Sequence, residues 1–172
     1  MAELTVDDLL AREEIADVIK ALARGTDRLD RELMASCYQA DGTDDHNVFQ
    51  GTGTEFAQWV VDTLPHFQST MHFIGPPLIR NEGDRAEVDT YCVAHHVSKP
   101  DDGGRQTDMV LGLRYVARFE RRNGTWLIAA RVCAFDWSHT VEFDPARGFG
   151  FESTWTLGAR DRTDVTYGNF DF

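Results

Sequence analysis

Asp27 is the residue whose type and setting best suit proton transfer. It follows a segment, 15–22, with apolar residues at three- and four-residue spacing, and precedes a second helical segment that begins after Asp30. Gly25 is placed to end the first helix, and Asp30 to cap the second. A carboxylate in such a corner is partly desolvated, which raises its pKa and suits a general base. The alternative is a structural role, as a second cap or a solvated turn residue.

His72 is a second candidate for acid–base chemistry. Residues 69–74 alternate, which predicts a strand with Thr70, His72 and Ile74 on one face and Met71 and Phe73 on the other. A neutral imidazole can abstract a proton, and a carboxylate beside it fixes its tautomer and stabilises the imidazolium. A histidine satisfied within the core is the alternative interpretation.

Other polar clusters carry weaker signals. Asp44, Asp45 and His46 are residue types that bind metals, but a turn so rich in Asp is usually solvated, so no metal site is predicted. His95 and His96 are adjacent, so a strand directs them to opposite faces. The sequence has no serine nucleophile elbow, phosphate-binding glycine loop or dinucleotide fingerprint, and no cofactor is predicted.

The elements that must position these residues are three helices followed by a long sheet. The first helix is predicted from the Thr5 cap to about Arg24, and a short one follows. Thr52 and Glu55 form the capping box of the third, which Pro65 ends. Residues 41–45 read as a polar turn, and 46–49 as a brief strand.

The rest of the chain has the alternating period of strands. These are predicted at 69–74, 78–80, 85–97, 106–120 and 125–139, the last two joined by an Asn-Gly turn at 123–124. Long strands must twist and curl. The sequence therefore predicts an α+β fold, a cone-shaped, mostly antiparallel curved sheet with three N-terminal helices closing an apolar pocket.

Composition narrows the class of protein and its setting. The 172 residues predict one domain, 1–140, with 141–172 as an arm and not a separate domain. A net charge of −12 argues against nucleic acid and against anionic membrane surfaces. No apolar run approaches the ~20 residues of a membrane span. Three widely spaced cysteines and a start without a signal-peptide pattern predict a cytoplasmic protein.

These segments together resemble the SnoaL-like branch of the nuclear transport factor two-like superfamily, whose fold is a cystatin-like α+β barrel. The branch includes polyketide cyclases, scytalone dehydratase, bile-acid dehydratase and hexachlorocyclohexane dehydrochlorinase. The resemblance spans roughly 7–139. It rests on Gly25-Thr26-Asp27 between two helices, Thr70-Met71-His72-Phe73, Asn123-Gly124-Thr125-Trp126, and Arg131 five residues after that Trp.

The resemblance implies a catalytic site as well as a fold. Asp27 and His72 would form a catalytic dyad, with Arg131 supporting the site. The substrate pocket would be lined by Leu22, Trp59, Tyr91, Leu111, Leu113, Tyr115, Cys133 and Phe135. Relatives often carry Tyr or Lys at the position of Leu22, so the group that assists a leaving group must lie elsewhere, with Tyr91, His95, Tyr115 or Asp136 as candidates.

The last hairpin needs a β-bulge if both implied sets of residues are to face the pocket. A plain two-residue Asn-Gly turn pairs Tyr115 with Val132 and Val116 with Arg131. That register places Arg131 on the face opposite Tyr115. An extra residue in one strand reverses the parity, so we predict a bulge.

The expected function is that of a cofactor-independent lyase or isomerase acting on a small hydrophobic molecule. One alternative is a non-catalytic ligand-binding or assembly domain of the same fold, and another is a polyketide cyclase-like enzyme. Both faces of the 105–139 hairpin carry apolar residues, and one pocket cannot cover both. A homodimer or homotrimer is therefore expected.

Overall fold

Helices occupy the N-terminal part of the chain and a single sheet occupies most of the rest. The computed structural model describes residues 4–143, 152 and 154–169. The helices are α1 Val6–Arg28, α2 Arg31–Ser36, α3 Gly53–Thr63 and α4 Val165–Asn169, with a short 3-10 turn at Leu64–His66. The strands are β1 Tyr38–Asp45, β2 Gln50–Thr52, β3 Phe67–Ile74, β4 Leu78–Glu82, β5 Arg85–Ser98, β6 Gln106–Arg122 and β7 Thr125–Phe143.

The described strands form one seven-stranded mixed sheet. Its order is β2-β1-β7-β6-β5-β3, with β4 also paired to β5. The pairs are antiparallel, except that β1 runs parallel to β7. Apolar residues of α1, α2 and α3 pack against inward residues of the sheet in one core, which includes Ile15, Met34, Phe56, Phe119 and Trp126. The predicted α+β fold is confirmed, and among the described residues no helix is long and apolar enough to cross a bilayer.

Helix α1 is longer than predicted. The Thr5 cap starts it as expected, here within a capping box with Asp8, but the helix continues past Gly25 to Arg28, and Leu29 ends it with φ of 55°. Gly25 is therefore not a C-cap. A Cβ at Gly25 would lie 2.8 Å from Cγ of Met34, so glycine is needed there for the close approach of α2. Asp27 consequently lies on the last helical turn rather than in a loop corner.

Strand β1 replaces the predicted polar turn. Residues 41–45 belong to this strand, and the expected strand at 46–49 is displaced to β2. Gly42 and Asp44 face inward on β1, while Asp41 and Thr43 are exposed. The prediction of a solvated turn was wrong because this Asp-rich segment pairs with β7 as a strand. The one carboxylate that it buries, that of Asp44, lies beside the cation Arg131.

The predicted β-bulge in the last hairpin is confirmed. Asn123 and Gly124 both have positive φ, 54° and 83°, as a tight two-residue hairpin turn requires. A register shift near Phe119 leaves Ala129 as an extra residue in β7, so Tyr115 pairs with Cys133 and Ala117 with Arg131. Arg131 and Tyr115 thereby share the inner face. A second shift, at Gly112, leaves Asp136 extra.

Candidate active site

Asp27 binds His72 through both carboxylate oxygens. Oδ1 accepts hydrogen bonds from the ring Nδ1 of His72 at 2.8 Å and from Oγ1 of Thr70 at 2.9 Å. Oδ2 accepts the backbone N–H of His72 at 2.9 Å. Burial acts to raise the pKa of Asp27, but the hydrogen bonds and charge of His72 outweigh it, so the pKa lies below its usual value. The expected upward shift is wrong, and an ionised Asp27 serves as an acceptor rather than a base.

The ring of His72 is fixed by this contact. Its side chain is 8% exposed, and it lies on the inner face of β3 with Thr70. Because Asp27 is ionised and accepts from Nδ1, the Nδ1 atom carries the proton and Nε2 keeps its lone pair in the neutral ring. His72 also contributes to the wall of an internal cavity. In the neutral ring, Nε2 is thus available as an acceptor to a molecule bound there.

The cavity has a volume of about 250 Å³. Its wall is mostly apolar and is built by α3, the segment after β1 and the inner faces of four strands. It includes His72 and Arg131 together with five of the residues predicted to line a pocket, namely Trp59, Leu111, Leu113, Tyr115 and Phe135. A space of this size and lining suits a small, largely apolar molecule.

Three predicted pocket residues do not line this cavity. Leu22 is buried in the core and borders an adjoining void of about 20 Å³, which His72, Tyr115 and Arg131 also line. Cys133 is buried in a small apolar cluster with Cys92 and Leu113. Tyr91 is 66% exposed on the outer face of β5, where the Arg114 guanidinium lies 5.9 Å from its ring centroid, because the alternation of β5 turns odd-numbered residues outward.

Arg131 is held in the cavity wall by Asp44. Its Nε donates to Oδ2 of Asp44 at 2.6 Å, and both side chains are almost completely buried. The same oxygen accepts from the hydroxyl of Tyr38 at 2.6 Å, and Oδ1 is 2.6 Å from Nδ1 of His46. Burial acts to raise the pKa of Asp44, but the charge of Arg131 and the bond from His46 hold it far below its usual value.

The guanidinium of Arg131 lies over aromatic rings of the cavity wall. Its Cζ atom is 4.6 Å from the ring centroid of Tyr115 and 4.9 Å from that of Phe56. Burial acts to lower the pKa of Arg131, but Asp44 raises it, so the cation is permanent. Its Nη2 is buried and has no hydrogen-bond partner among the described residues. A fixed positive charge with a donor to spare therefore lies at the cavity wall.

His96 is a third inward histidine of the site. It is 8% exposed, lines the cavity on β5 and lies 5.5 Å from His72 between ring centroids. Burial, with the charge of His72 next, lowers the pKa of His96 to about 4, so the ring is neutral at physiological pH. The sequence predicted that His95 and His96 point to opposite faces of their strand. The mostly apolar even-numbered residues of β5 would have indicated that His96 is the one that faces inward.

The four candidates for the group that assists the leaving group, in place of the Tyr or Lys that relatives carry at position 22, lie in different parts of the structure. Tyr115 lines the cavity. His95 points outward and bonds Asp108 at 2.7 Å, and Asp136 is exposed beside Arg114 at 3.4 Å. With Tyr91 also outside, Tyr115 is the one of the four candidates that borders the cavity. Within the described residues, no three His, Cys, Asp or Glu side chains are grouped as metal ligands.

Arg160 connects the C-terminal segment to the dyad, which sequence reasoning missed. Its guanidinium donates to the carbonyls of Leu64 and Phe67, both at 3.0 Å, and of Asp27 at 3.4 Å. Nη2 also lies 3.5 Å from Oγ1 of Thr70, the hydroxyl that bonds Asp27. One side chain thus joins the end of α1 to the start of β3. No local pattern around residue 160 indicates this role.

Comparison with known proteins identifies the family of this chain. Residues 7–132 match the family model of the SnoaL-like domain. The chain belongs to the SnoaL-like family. No curated protein sequence matches it significantly.

Solved structures similar to this SnoaL-like protein share its fold at low sequence identity. A hexachlorocyclohexane dehydrochlorinase, LinA-type3 from Novosphingobium barchaimii, is 17% identical with a TM-score of 0.68, over 86% of this chain and 97% of that one. A candidate scytalone dehydratase from Novosphingobium aromaticivorans is 17% identical with a TM-score of 0.68, over 86% and 100%. A cystatin-like protein from Nostoc punctiforme is 19% identical with a TM-score of 0.61, over 78% and 96%.

Proposed function

We propose that this SnoaL-like protein is a cofactor-independent lyase or isomerase that removes a proton from carbon in a small hydrophobic substrate. The observation that carries the proposal is the His72–Asp27 contact of 2.8 Å, made at the wall of a cavity of about 250 Å³. A base fixed by a carboxylate at the wall of a largely apolar cavity is an arrangement suited to general base catalysis.

The proposed reaction begins with transfer of a proton from a carbon next to a carbonyl group to Nε2 of His72. The C–H electron pair moves into the carbonyl to give an enolate, and Asp27 stabilises the imidazolium that forms. Arg131, a permanent cation in the same wall, stabilises the negative oxygen. Loss of the hydroxyl group from the next carbon, as water with a proton from an assisting group, then completes a dehydration. In a substrate with a C=C bond next to the deprotonated carbon, return of the proton to the far end of the dienolate instead completes an isomerisation.

Tyr115 and His96 are the groups proposed to assist departure of the leaving group. Both line the cavity, and His96 lies within 5.5 Å of His72 between ring centroids. Burial raises the pKa of Tyr115 well above its usual value, so its hydroxyl keeps its proton as a donor. The structural neighbours are named as a dehydrochlorinase and a candidate scytalone dehydratase, which supports elimination as the reaction class. The three free, buried cysteines support the proposed cytoplasmic location.

The proposal is tested by solvent exchange, which does not require the natural substrate. Small cyclic β-hydroxy ketones are incubated with the protein in deuterium oxide, and deuterium at the carbon next to the carbonyl is followed by NMR together with any enone formed. The wild type is expected to exchange or eliminate at least one of them, and His72→Gln to lose this activity. The matched control is His95→Gln, which removes an outward Asp-paired histidine on β5.

The outcome separates the enzyme from its alternatives. Binding of these ketones without exchange would indicate a non-catalytic ligand-binding domain. Equal exchange by the wild type and His72→Gln would contradict the dyad. Ring closure of a linear polyketone that survives His72→Gln would favour the cyclase-like alternative.

A further inference from the structure

A second Asp–His pair faces the same cavity from another wall. Nδ1 of His46 lies 2.6 Å from Oδ1 of Asp44, and the His46 ring stacks on Phe56 at 4.8 Å between centroids. Its side chain is 14% exposed and lines the cavity together with Trp59 and Tyr115. The mechanism above gives this pair no role.

The hydrogen bonds of Asp44 determine which His46 nitrogen is free. Asp44 is ionised beside Arg131, and its Oδ2 already accepts from Arg131 and Tyr38. Its Oδ1 can therefore only accept a proton from Nδ1 of His46, which leaves Nε2 with a lone pair. Burial, with the charge of Arg131, lowers the pKa of His46 and outweighs the opposing hydrogen bond to Asp44, so the neutral ring is favoured.

The strand order separates this acceptor from the dyad. His46 directly follows β1, which is next to one end of the sheet, whereas His72 is on β3 at the other end. Both rings nevertheless line one cavity because the sheet curves around it. A single bound molecule can therefore be held by His46 on one side while its reacting carbon faces His72.

Asp44 also holds a hydrogen-bond donor next to this acceptor. Its two oxygens bind His46 and Arg131, and both the imidazole and the guanidinium pack against the ring of Phe56. A hydroxyl group can donate to Nε2 of His46 and accept from the guanidinium at once. A carbonyl oxygen can only accept, and an ammonium group would be repelled by Arg131.

We propose that the His46–Arg131 end of the cavity is a hydroxyl-binding subsite, so that the substrate is a mainly apolar molecule bearing an alcohol, enol or phenol group on the Arg131 side of the carbon that His72 deprotonates. The orientation towards His72 rests on the proposed function, whereas hydroxyl binding at His46 does not. A buried acceptor left without a donor costs free energy, so the subsite selects against ligands that lack the hydroxyl.

The test compares two probes of nearly equal shape, p-cresol and p-xylene, each titrated into the full chain by calorimetry. In an apolar cavity without a partner, the hydroxyl of p-cresol would be strongly disfavoured. The wild type is expected to bind p-cresol at least as tightly as p-xylene. His46→Phe should weaken p-cresol by about tenfold or more, and change p-xylene by about threefold or less.

A second measurement protects the test against misfolding of the variant. In the ¹⁵N-labelled wild type, the Nε2 resonance of His46 should move upfield with saturating p-cresol and stay in place with p-xylene. An unmoved His46 resonance, or a p-cresol preference that survives His46→Phe, overturns the subsite. A preference lost in His72→Phe but kept in His46→Phe overturns it as well, because the hydroxyl then binds the dyad. None of these measurements depends on turnover. Failure of the lyase proposal, which is tested by deuterium exchange, can therefore be distinguished from failure of the subsite.

Discussion

Asp27 accepts the backbone N–H and the ring Nδ1–H of the same residue, His72, at 2.9 and 2.8 Å. The backbone bond fixes strand β3 against the end of α1, and the ring bond then sets the direction of the imidazole. Both bonds are needed to fix His72, since the ring bond alone would leave the strand free to shift and the backbone bond alone would leave the ring free to turn. This is the kind of support that a catalytic base needs to stay in productive geometry.

Replacing Asp27 by Asn should reduce catalysis much more than binding. Asn keeps the shape of the side chain, but its N–H₂ group would face donors of His72 or Thr70 that bond a carboxylate oxygen in the wild type. It also removes the negative charge opposite the imidazolium. We expect the exchange rate to fall by about 10²–10⁴-fold, and the free energy of unfolding by about 1–3 kcal/mol. Deuterium exchange and urea unfolding measure the two effects.

Asp108→Asn is the matched control for this substitution. Asp108 bonds His95 at 2.7 Å, but on the outer face and with both side chains partly exposed. Its replacement should leave exchange unchanged and stability within about 1 kcal/mol. Similar losses in both variants would mean that the Asp27 contact acts only in folding.

Acid should destabilise the protein through His96 at mildly low pH. Burial lowers the pKa of His96 to about 4, whereas in the unfolded chain it is near 6.5. Between these values the unfolded chain binds a proton that the folded protein does not, so the free energy of unfolding falls as the pH falls from about 6.5 to about 4. The total loss should be of the order of 3 kcal/mol.

Urea unfolding at a series of pH values checks this sign. His96→Gln should show a shallower loss over the same interval, with a remainder due in part to His46, whose pKa is also lowered by burial. The exposed His66 provides the control, because His66→Gln should leave the profile unchanged. A profile that is equally steep in His96→Gln would contradict the buried neutral state of His96.

Arg160 should stabilise the dyad region through the C-terminal segment. Arg160→Met removes the donor shared by three backbone carbonyls and by Thr70, and should lower the free energy of unfolding by about 2–3 kcal/mol. Arg162→Met, two residues on, removes an arginine whose side chain is 66% exposed and should cost well under about 1 kcal/mol. Equal effects of the two would show that the Arg160 contacts contribute nothing specific.

The outer face of the sheet should form the interface of a homodimer or homotrimer. Val116 and Val132 pair directly across β6 and β7, are 43% and 47% exposed, and lie in one row with Leu78, which is 74% exposed. Light scattering at micromolar concentration should show an oligomer, and Val132→Glu should shift it to monomer. Val6→Glu alters an exposed valine on α1 and should leave the oligomer intact. A monomeric wild type would contradict the prediction.

Local signals were enough for much of the scaffold. The helix cap at Thr5, the capping box at Thr52, the Asn-Gly turn and the alternation at 69–74 depend on residues a few positions apart, and each is present in the structure. The need for a bulge followed from strand parity together with the family resemblance, which places Arg131 and Tyr115 in one pocket and so requires an extra residue between them. The Asp27–His72 contact combined such local placement with a family resemblance.

The polar cluster around Asp44 could be decided only by the tertiary structure. Asp44 is buried because Arg131, 87 residues away, supplies its counter-charge, and without that partner an Asp-rich segment reads as a solvated turn. The bond from Arg160 to the Asp27 carbonyl likewise joins residues 133 positions apart, so no local pattern could indicate it. The sequence by itself determined most of the helices and strands, though not β1, and which way most side chains of β3 and β5 point, because those depend on short-range periodicity and capping. The tertiary structure determined which polar groups are desolvated together, because desolvation and pairing depend on neighbours that the chain brings together only when it folds.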